Sequence, residues 1–273
     1  MKDFKNKVVV ISGAGSGIGR ALSIDFAKQG SKLALCDTNP LTLDETSQIL
    51  LSVGVSVYTK CMDVSNLDEV EKFAEEVANK YGPADIVINN AGIGHGKLSI
   101  ENFKVEDMHK IMNVNFWGMV YLSKTFIPQL KKNEPAALIN ISSIAGLISV
   151  GNQTIYSASK FAIRSFTEGL ISELKNTQIQ VSCVHPGGIK TNLVKSSIVG
   201  DIAYNSILEH VQSNTAEFAA KKIISGIKQN KKRIIVGFDA KIAYLFYSIL
   251  PLSLFIYFQA LFLKRIERKL NYK

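Results

Sequence analysis

Cysteine is scarce in this sequence, and its few copies follow no repeating pattern. The chain of 273 residues has three, Cys36, Cys61 and Cys183, each at the end of an apolar run. A disulfide framework uses cysteines in pairs, and a zinc site needs closely spaced ligands. The count and spacing argue against both kinds of site, so we predict no metal and three buried, reduced thiols in a cytosolic protein.

A secretion signal, a linker and internal repeats are also missing from the sequence. The N-terminal residues pass directly from charged side chains into an apolar run, without the long apolar core and small-residue cleavage site of a signal peptide. No stretch rich in proline or glycine divides the chain. We expect a cytoplasmic protein with one domain, residues 1–240, followed by a C-terminal tail, residues 241–273.

Acidic residues become rare toward the C-terminus, and the net charge of +9 is concentrated there. Residues 217–273 contain twelve Lys or Arg against three Asp or Glu, whereas the chain before Glu217 contains equal numbers of the two kinds. A basic segment suits nucleic acid or an anionic membrane surface. Motifs that read nucleic-acid grooves, and basic residues interleaved with aromatic ones, are missing, so we expect no nucleic-acid partner.

Short apolar runs alternate along the chain with longer segments of helical period. Runs such as VVVI, LALC and IVIN do not alternate in polarity, which predicts strands buried on both faces. We therefore predict an α/β fold: a doubly wound, Rossmann-type parallel sheet of about seven strands with helices on both faces, plus a C-terminal helical tail. The predicted strands are 7–11, 32–36, 56–61, 85–89, 136–141, 179–184 and 233–236, and the predicted helices are about 17–29, 41–52, 66–81, 104–131, 153–175 and 216–229.

A glycine-rich segment, SGAGSGIG, follows the first predicted strand and leads into the first helix. Glycine lets the backbone turn sharply and approach a pyrophosphate, and a helix N-terminus offers unpaired N–H groups to phosphate. A tight turn can need glycine for structural reasons alone, but a strand before it and a helix after it favour a dinucleotide site. The predicted cofactor contacts in this segment are Gly13, Ser16, Gly17, Ile18 and Gly19.

An acidic residue, Asp37, ends the second predicted strand, at the distance beyond Gly19 that is typical of a ribose-binding acid. Its carboxylate can accept hydrogen bonds from the adenosine ribose hydroxyls and would repel a 2′-phosphate. No Lys or Arg lies between Gly13 and Gly19, and Thr38 follows the acid. The sequence therefore predicts NAD rather than NADP as the cofactor.

Polar residues also follow the third and fourth predicted strands. Asp63 and Val64 come after the third, and Asn90, Ala91 and Gly92 after the fourth. Open α/β sheets bind ligands at the carboxyl ends of their strands. We predict that Asp63 meets the adenine amino group and that the Asn90–Gly92 turn lines the ribose of the cofactor, although ordinary turn chemistry also explains these residues.

A tyrosine and a lysine lie one helical turn apart, at Tyr156 and Lys160, so their side chains project from the same face. Tyrosine is a poor base at neutral pH unless its phenolate is stabilised. A neighbouring ammonium group and a positively charged nicotinamide would lower the phenol's pKa toward the working range. Such a pair alone is common on helix surfaces and needs companions.

Two companions are present. Ser143 precedes Tyr156 in the chain and lies at the end of the fifth strand, where its hydroxyl can bind a substrate oxygen as charge develops. Asn115 occupies the middle of a predicted helix, where asparagine is a mediocre helix former. The segment HPGGIKT, residues 185–191, follows the sixth strand. With these motifs in this order, the sequence resembles the short-chain dehydrogenase/reductase family through about residue 236.

The resemblance implies a catalytic tetrad and further cofactor contacts. Ser143 would polarise the carbonyl or orient the alcohol, Tyr156 would take or give the hydroxyl proton, and both would contact the substrate. Lys160 would also bind the nicotinamide ribose, as a cofactor contact shared with Tyr156, and Asn115 would position a water in a proton relay. The resemblance adds Pro186, Gly187, Ile189 and Thr191 as contacts near the nicotinamide or the pyrophosphate.

Residues 188–215 are expected to close over the substrate as an apolar lid. His95 would lie at the rim of the pocket as a substrate contact. An apolar lid favours a lipophilic alcohol or ketone, although packing against the core would explain the same residues. The apolar lid positions are Ile189, Leu193, Val194, Ile198, Val199, Ile202 and Ile207, and the opposite wall is His95, Ala145, Leu147 and Val150.

The tail contains an uncharged run, residues 242–263, interrupted by Pro251. The run is long enough to span a bilayer, which requires about 20 apolar residues. Pro251 can instead begin a second helix. Three alternatives stay open: helices buried or packed in an oligomer, association with a membrane surface, and a true span.

The sequence as a whole predicts an NAD-dependent oxidoreductase that interconverts a lipophilic alcohol and its ketone or aldehyde, assembled as a homodimer or homotetramer. The alternatives are an NADP-dependent carbonyl reductase of the same family and a non-catalytic, membrane-attached dinucleotide-binding protein. The intact tetrad argues against the non-catalytic alternative.

Overall fold

A single parallel sheet organises the chain in the computed structural model, which describes residues 3–96, 98–149, 151–191 and 214–269. Seven strands form it: β1 (Val8–Ser12), β2 (Lys32–Asp37), β3 (Val57–Cys61), β4 (Ile86–Asn89), β5 (Ala136–Ile141), β6 (Ile179–Pro186) and β9 (Arg233–Val236). Two short strands, β7 (Ile189–Lys190) and β8 (Asn214–Thr215), pair with each other outside this sheet. The predicted sheet of about seven strands is confirmed.

The strand order is β3-β2-β1-β4-β5-β6-β9, and every neighbouring pair is parallel. From β1 the chain winds outward in one direction to β3 and then returns to start β4 on the other side. This reversal separates the loops after β1 and β4 and opens a crevice at the carboxyl ends of the strands. The glycine-rich segment lies at that crevice because it directly follows β1.

Helices cover both faces of the sheet, as predicted. They are α1 (Gly17–Ala27), α2 (Pro40–Ser52), α3 (Leu67–Tyr81), α4 (Val105–Met112), α5 (Gly118–Lys132), α6 (Thr154–Glu173), α7 (Ala216–Lys228), α8 (Phe238–Ile249) and α9 (Leu252–Lys269). The side chain of Asn39 caps α2 by accepting a hydrogen bond from Leu41 N at 3.0 Å, and Pro40 occupies the first turn of α2, where its missing N–H costs nothing.

The structure divides the single helix predicted at 104–131 into three parts. A π-helical segment, Asn113–Trp117, joins α4 to α5 without a break in the backbone. Such segments insert an extra residue into a helical turn and occur often at functional sites. The apolar periodicity predicted a helix here, but it does not show where a turn contains one extra residue.

Successive residues of each central strand point into two different cores. Val9 and Ile11 of β1 pack with Phe26 of α1, whereas Val8 and Val10 belong to the opposite core. Burying each such side chain stabilises the fold by about 1.5–3 kcal/mol. The doubly buried sheet is therefore a rigid support for the loops at the carboxyl ends of its strands.

The tail forms two helices, α8 and α9, and the chain between them is extended at Leu250. Pro251 directly precedes a second helix, in agreement with the prediction that this proline can begin one. Phe255 of α9 is buried against Leu147 and Ile148, and Tyr247 of α8 packs at the same place. Among the described residues, no helix is both long enough and apolar enough to cross a membrane.

The prediction of three buried thiols was wrong for one of them. Cys36 and Cys183 are buried, but Cys61 is exposed. Cys61 ends β3, which lies at the edge of the sheet and pairs with β2 alone. The run that ends at Cys61, VYTKC, contains Thr59 and Lys60 and is more polar than the central strands VVVIS and IVIN, a difference that the prediction of a buried thiol did not take into account.

Candidate active site

The glycine-rich segment forms a closely packed loop between β1 and α1. Gly13 and Gly17 have positive φ angles of 64° and 52°, a conformation that residues with a Cβ atom rarely adopt. A Cβ atom at Gly19 would lie 2.1 Å from the carbonyl oxygen of Gly13. Any larger residue at Gly19 would therefore displace the loop.

The N-terminus of α1 points its first backbone N–H groups into this loop. Its N-cap residue, Ser16, makes no side-chain capping hydrogen bond with the residues that the structure describes. An uncapped helix end carries partial positive charge and binds phosphate readily. The loop and the helix end, with Ile18 in the first turn, therefore fit the pyrophosphate of a dinucleotide.

The Asp37 carboxylate is held at the edge of the same loop. Its Oδ2 atom accepts a hydrogen bond from Gly15 N at 2.9 Å, and its Oδ1 atom accepts one from Asn39 N at 2.9 Å. These bonds fix the orientation of the carboxylate beside the loop. The carboxylate stands at the carboxyl end of β2 beside the glycine loop, and its contact with the adenosine ribose hydroxyls stays a prediction.

Arg20 is the basic residue closest in sequence to the glycine loop, and its guanidinium is already engaged. It donates to Gly15 O at 2.5 Å, to Thr42 O at 3.0 Å and to the Glu45 carboxylate at 2.7 Å. A 2′-phosphate is recognised by basic groups that are free to pair with it. Arg20 is committed to protein acceptors and does not offset the repulsion between Asp37 and such a phosphate.

The turn after β4 holds the glycine loop in place. Asn90 donates from Nδ2 to the carbonyl oxygens of Ser12 and Gly13, each at 3.0 Å. A Cβ atom at Gly13 would lie 2.8 Å from the Cα atom of Ala91. Asn90 and Ala91 therefore shape the cofactor loop directly, besides standing where they can line the site.

Asp63 takes part in turn chemistry after β3. Its Oδ1 atom accepts hydrogen bonds from Ser65 N at 2.9 Å and from Ser65 Oγ at 2.8 Å. The predicted adenine contact would use its other carboxylate oxygen. The neighbouring Val64 is buried and faces Gly118, where a Cβ atom would lie 2.6 Å from it.

Tyr156 and Lys160 are both buried on α6 and face the end of β5. The Lys160 ammonium donates to Ile141 O at 3.2 Å and lies 5.6 Å from the centroid of the Tyr156 ring. Ser143 follows β5, and its Oγ atom accepts a hydrogen bond from Ala145 N at 3.1 Å. The structure thus brings the predicted serine, tyrosine and lysine together.

Burial changes the acidity of this pair in opposite directions. It raises the pKa of Tyr156, an effect that a hydrogen-bond interaction with the side chain of Ser143 partly offsets. Burial lowers the pKa of Lys160 to about 8. Both shifts disfavour the charged forms, because the site removes each group from water. The phenolate form of Tyr156 therefore needs positive charge beside it.

Asn115 lies at the centre of the π-helical segment and is fully buried. Its Oδ1 atom accepts from Ile93 N at 2.8 Å, while its Nδ2 atom donates to Ile93 O at 3.0 Å and to Ser159 Oγ at 3.0 Å. A Cβ atom at Gly92 would lie 3.2 Å from Asn115 Oδ1 and 3.3 Å from Lys160 Nζ. Asn115 therefore joins the loop after β4 to α6, close to Lys160.

The segment at the end of β6 also borders the site. A Cβ atom at Gly17 would lie 3.1 Å from the Thr191 side chain, so this threonine stands beside the glycine loop. Gly187 donates its N–H to Val236 O at 2.8 Å, and Pro186 and Ile189 flank it. The segment predicted to contact the cofactor therefore lies opposite the first turn of α1.

His95 is buried rather than exposed at a rim. Its Nδ1 atom is 2.7 Å from Gly96 O, and its ring packs edge-on against Phe103, with the centroids 4.7 Å apart. Gln153, just before α6, donates to His95 O at 3.0 Å. His95 thus lies near the start of α6, and its role as a substrate contact stays a prediction.

The remaining predicted substrate wall is only partly described. Ala145 and Leu147 are buried directly after Ser143. Val150 and lid residues 192–213 lie outside the described residues. The described ends of the lid, at β7 and β8, are paired in parallel.

His185 is a site residue that the sequence alone did not identify. It is fully buried, and its Nδ1 atom lies 3.0 Å from the backbone carbonyl oxygen of Ser143. Burial lowers the pKa of His185 to about 4, so the ring is neutral and donates from Nδ1 to that carbonyl. Its position directly before Pro186 and Gly187 was the available signal, but a bond to a backbone atom leaves no pattern in sequence.

The comparison with protein families decides what kind of enzyme this site belongs to. Residues 7–199 match the model of the short chain dehydrogenases. The chain belongs to the short-chain dehydrogenase/reductase family. It is therefore an NAD(P)-dependent oxidoreductase that acts on CH–OH groups, and the predicted resemblance is confirmed.

Relatives resemble the chain over most of its length. A Mycobacterium tuberculosis protein described as an oxidoreductase, SadH, is 37% identical over 88% of this chain and 90% of its own. Epidermal retinol dehydrogenase 2 of Mus musculus is 34% identical over 92% of this chain and 81% of its own. A short-chain dehydrogenase/reductase from Burkholderia phymatum, solved in complex with NAD, has a TM-score of 0.84 at 27% identity and covers 91% of this chain and 96% of its own.

In the part of the chain that the structure describes, no group of three or more His, Cys, Asp or Glu residues stands close enough to hold a metal ion.

Proposed function

We propose that this enzyme uses NAD to interconvert a lipophilic secondary or primary alcohol and its ketone or aldehyde. The observation that carries the choice of NAD is the Asp37 carboxylate, held beside the glycine loop by Gly15 N and Asn39 N. Its charge favours two ribose hydroxyls and disfavours a 2′-phosphate. The related structure from Burkholderia phymatum, which contains NAD, supports the same choice.

When bound, the nicotinamide cofactor supplies or accepts the hydride. Tyr156 donates the proton of its Oη atom to the substrate oxygen during reduction and takes it back during oxidation. Ser143 Oγ donates a hydrogen bond to the same oxygen and stabilises the charge that develops there. The Lys160 ammonium, 5.6 Å from the Tyr156 ring, lowers the cost of forming the phenolate.

Asn115 and His185 support these groups without touching the reacting atoms. Asn115 keeps the loop after β4 against α6 through its bonds to Ile93 and Ser159. In our proposal it also positions a water that links the site to solvent. His185 fixes the backbone of Ser143, which orients its hydroxyl.

Two observations support a lipophilic substrate. The segment after Ser143 is apolar and buried, with Leu147 fully buried and Ile148 nearly so. The retinol dehydrogenase of Mus musculus, 34% identical, is named for a lipophilic alcohol. Apolar walls with a few polar groups are typical of sites that bind such molecules.

The proposal places the enzyme in the cytoplasm as a homodimer or homotetramer, attached to a membrane surface by its tail. Exposed apolar side chains on α4 and the π-helical segment, Val105 and Trp117, support contact between subunits. The charge and exposed apolar residues of α8 and α9 support the membrane surface.

A substrate panel tests the proposed reaction. Alcohols and ketones from short aliphatic to retinoid and steroid size are assayed with NAD(H) by absorbance of the reduced cofactor. We expect kcat/KM to rise by at least about tenfold from the shortest to the long apolar substrates, because each buried methylene adds binding energy. Turnover restricted to sugars or small hydroxy acids would contradict a lipophilic substrate.

Substitution of the acid tests the cofactor choice. The unmodified enzyme should have a kcat/KM for NAD(H) about 100-fold above that for NADP(H), and Asp37→Ala should reduce this ratio to about tenfold or less by removing the repulsion. Asp44→Ala is the matched control, since this exposed carboxylate lies on α2 away from the loop. A higher kcat/KM with NADP(H) in the unmodified enzyme would show that Asp37 does not select NAD.

A further inference from the structure

Helices α8 and α9 present an apolar face to solvent. On α8 this face contains Phe238, which is 76% exposed, and Ile249, which is 69% exposed. On α8 these positions recur at intervals of three and four residues, so they share one side of the helix. On α9 the exposed apolar residues extend around most of the helix and leave out the side that contains Phe255 and Gln259. Monomeric proteins rarely expose large continuous apolar surfaces unless those surfaces bind something. We call this the outer face, and its residues are Phe238, Ile242, Leu245, Phe246, Ile249, Leu252, Leu254, Ile256, Tyr257, Phe258 and Leu261.

The opposite side of the same helices is anchored in the protein. Phe255 is buried with Leu147 and Ile148, and Tyr247 packs against the ring of Phe255 with centroids 5.2 Å apart. Gln259 donates from Nε2 to Ser149 O at 3.1 Å. The inner face therefore fixes the orientation of the two helices, and the outer face is left uncovered by the described part of the chain.

The tail is also tied to the cofactor side of the site. Asp239, in the first turn of α8, accepts a hydrogen bond from Gly188 N at 2.7 Å. A Cβ atom at Gly187 would lie 2.2 Å from Asp239 Oδ2. One end of the helix pair thus contacts the turn after β6, and its middle packs on the segment after Ser143.

Positive charge surrounds the outer face, and negative charge is missing from it. Lys241 is exposed near the start of α8, and Lys264 and Arg265 are exposed toward the end of α9. The sequence contains no Asp or Glu between Asp239 and Glu267. An anionic surface would pair with all of these cations, whereas a second copy of the chain would bring the same cations without acids to meet them. The charge therefore favours lipid over self-association.

We propose that the outer face docks in the plane of an anionic lipid surface, with the apolar side chains inserted among the lipids and the Lys and Arg side chains at the headgroups. One side of α8 and of α9 packs against the protein and is closed to lipid, and the exposed residues of the outer face are open to it. The proposal deepens the proposed function and rests on it for the role of the lipid as the source of an apolar substrate. In this orientation α9 lies between the lipid and the buried residues Leu147 and Ile148, which follow Ser143.

Apolar area and charge act together in such binding, since either alone binds weakly. Removing the whole tail would be a poor test, because the loss of Phe255 and Asp239 would expose the residues that they now cover. Substitutions confined to the outer face leave the inner contacts unchanged. The full chain is therefore compared with a variant carrying Leu245→Gln, Phe246→Gln and Ile249→Gln.

The measurement is co-sedimentation with vesicles of phosphatidylcholine alone or of phosphatidylcholine mixed with phosphatidylserine. We expect the unmodified chain to bind the anionic vesicles at least about tenfold more tightly than the neutral ones, and less tightly as salt rises. The triple variant should lose at least about tenfold in binding. A second variant, Lys264→Gln with Arg265→Gln, should lose a similar factor on anionic vesicles and little on neutral ones.

The matched control places three equal substitutions on α2, at Leu41→Gln, Ile49→Gln and Leu51→Gln, which are exposed apolar positions elsewhere on the surface. This variant should bind vesicles like the unmodified chain. All variants should keep their turnover of a water-soluble substrate within about twofold, which shows that they are folded. Vesicle binding is measured without substrate, so a failure of the proposed reaction and a failure of docking are seen separately.

Two results would overturn the proposal. Equal vesicle binding by the unmodified chain and the triple variant would remove the outer face from any membrane contact. A chain that does not bind vesicles, but forms an oligomer in sedimentation velocity that the triple variant loses, would assign the outer face to a second copy instead.

Discussion

Replacing Tyr156 with phenylalanine is expected to lower kcat by about 10²–10⁴-fold, the usual contribution of a positioned proton donor. The substitution removes one oxygen atom and leaves the ring that Lys160 faces. Ser143 and the glycine loop stay in place, so substrate orientation and cofactor binding should survive. We expect the Kd for NADH, measured by fluorescence titration, to change by less than about threefold.

A tyrosine elsewhere on the same side of the sheet provides the control. Tyr121 on α5 packs against Trp117, with the ring centroids 6.0 Å apart, and is not among the residues proposed to touch substrate or cofactor. Tyr121→Phe should keep kcat within about twofold. Activity of Tyr156→Phe within a few-fold of the unmodified enzyme would mean that another group transfers the proton.

The fold could be predicted because most strands can be recognised from the local sequence alone. Strands β5 and β9 were predicted with the bounds they have, since each is a short, mainly apolar run. The crossover rule for parallel strands then left few arrangements. The edge position of β3 was not predicted, although Thr59 and Lys60 make this strand more polar than the central ones. The exposure of Cys61 followed from that position.

The short elements could not be predicted. Strands β7 and β8 have two residues each and pair across the lid, so no periodicity marks them. The π-helical segment Asn113–Trp117 differs from its surroundings by one backbone residue per turn. Neither feature depends on side-chain pattern, and both depend on contacts made by distant parts of the chain.

The site was predictable where side chains make the chemistry, and unpredictable where the backbone does. Tyr156 and Lys160 were predicted from their spacing on one helix and Ser143 from its place at the end of a strand, with their roles implied by the family resemblance, and the structure brings the three together. The bond from His185 to the carbonyl oxygen of Ser143 involves a backbone acceptor, which every residue has. The same reason hid the bonds between Asn115 and the backbone of Ile93.

The catalytic lysine should make the enzyme less stable, which gives a second prediction with a large effect. Burial lowers the pKa of Lys160 from 10.5 to about 8, so its charged form costs about 3 kcal/mol in the folded protein. Lys160→Met keeps the length of the side chain and removes the charge. It also removes the hydrogen bond to Ile141 O, worth about 1 kcal/mol. We expect the cofactor-free variant to be inactive and about 2 kcal/mol more stable at pH 7, with a Tm about 5 °C higher.

The pH dependence separates this cause from a general packing effect. Between pH 8 and 10.5 the unfolded chain keeps the Lys160 proton that the folded chain has lost. The contribution of Lys160 to the free energy of unfolding therefore increases as the pH rises through this range. The Met variant lacks that gain. The difference in free energy of unfolding between the two, from urea titrations, should therefore be largest below pH 8 and shrink toward pH 10.5. Lys124→Met, at an exposed position of α5, should show no such trend. If Lys160→Met is less stable than the unmodified enzyme by the same amount at every pH, then burial of the Lys160 ammonium does not destabilise the folded protein. The contacts of Lys160 would then be a net source of stability.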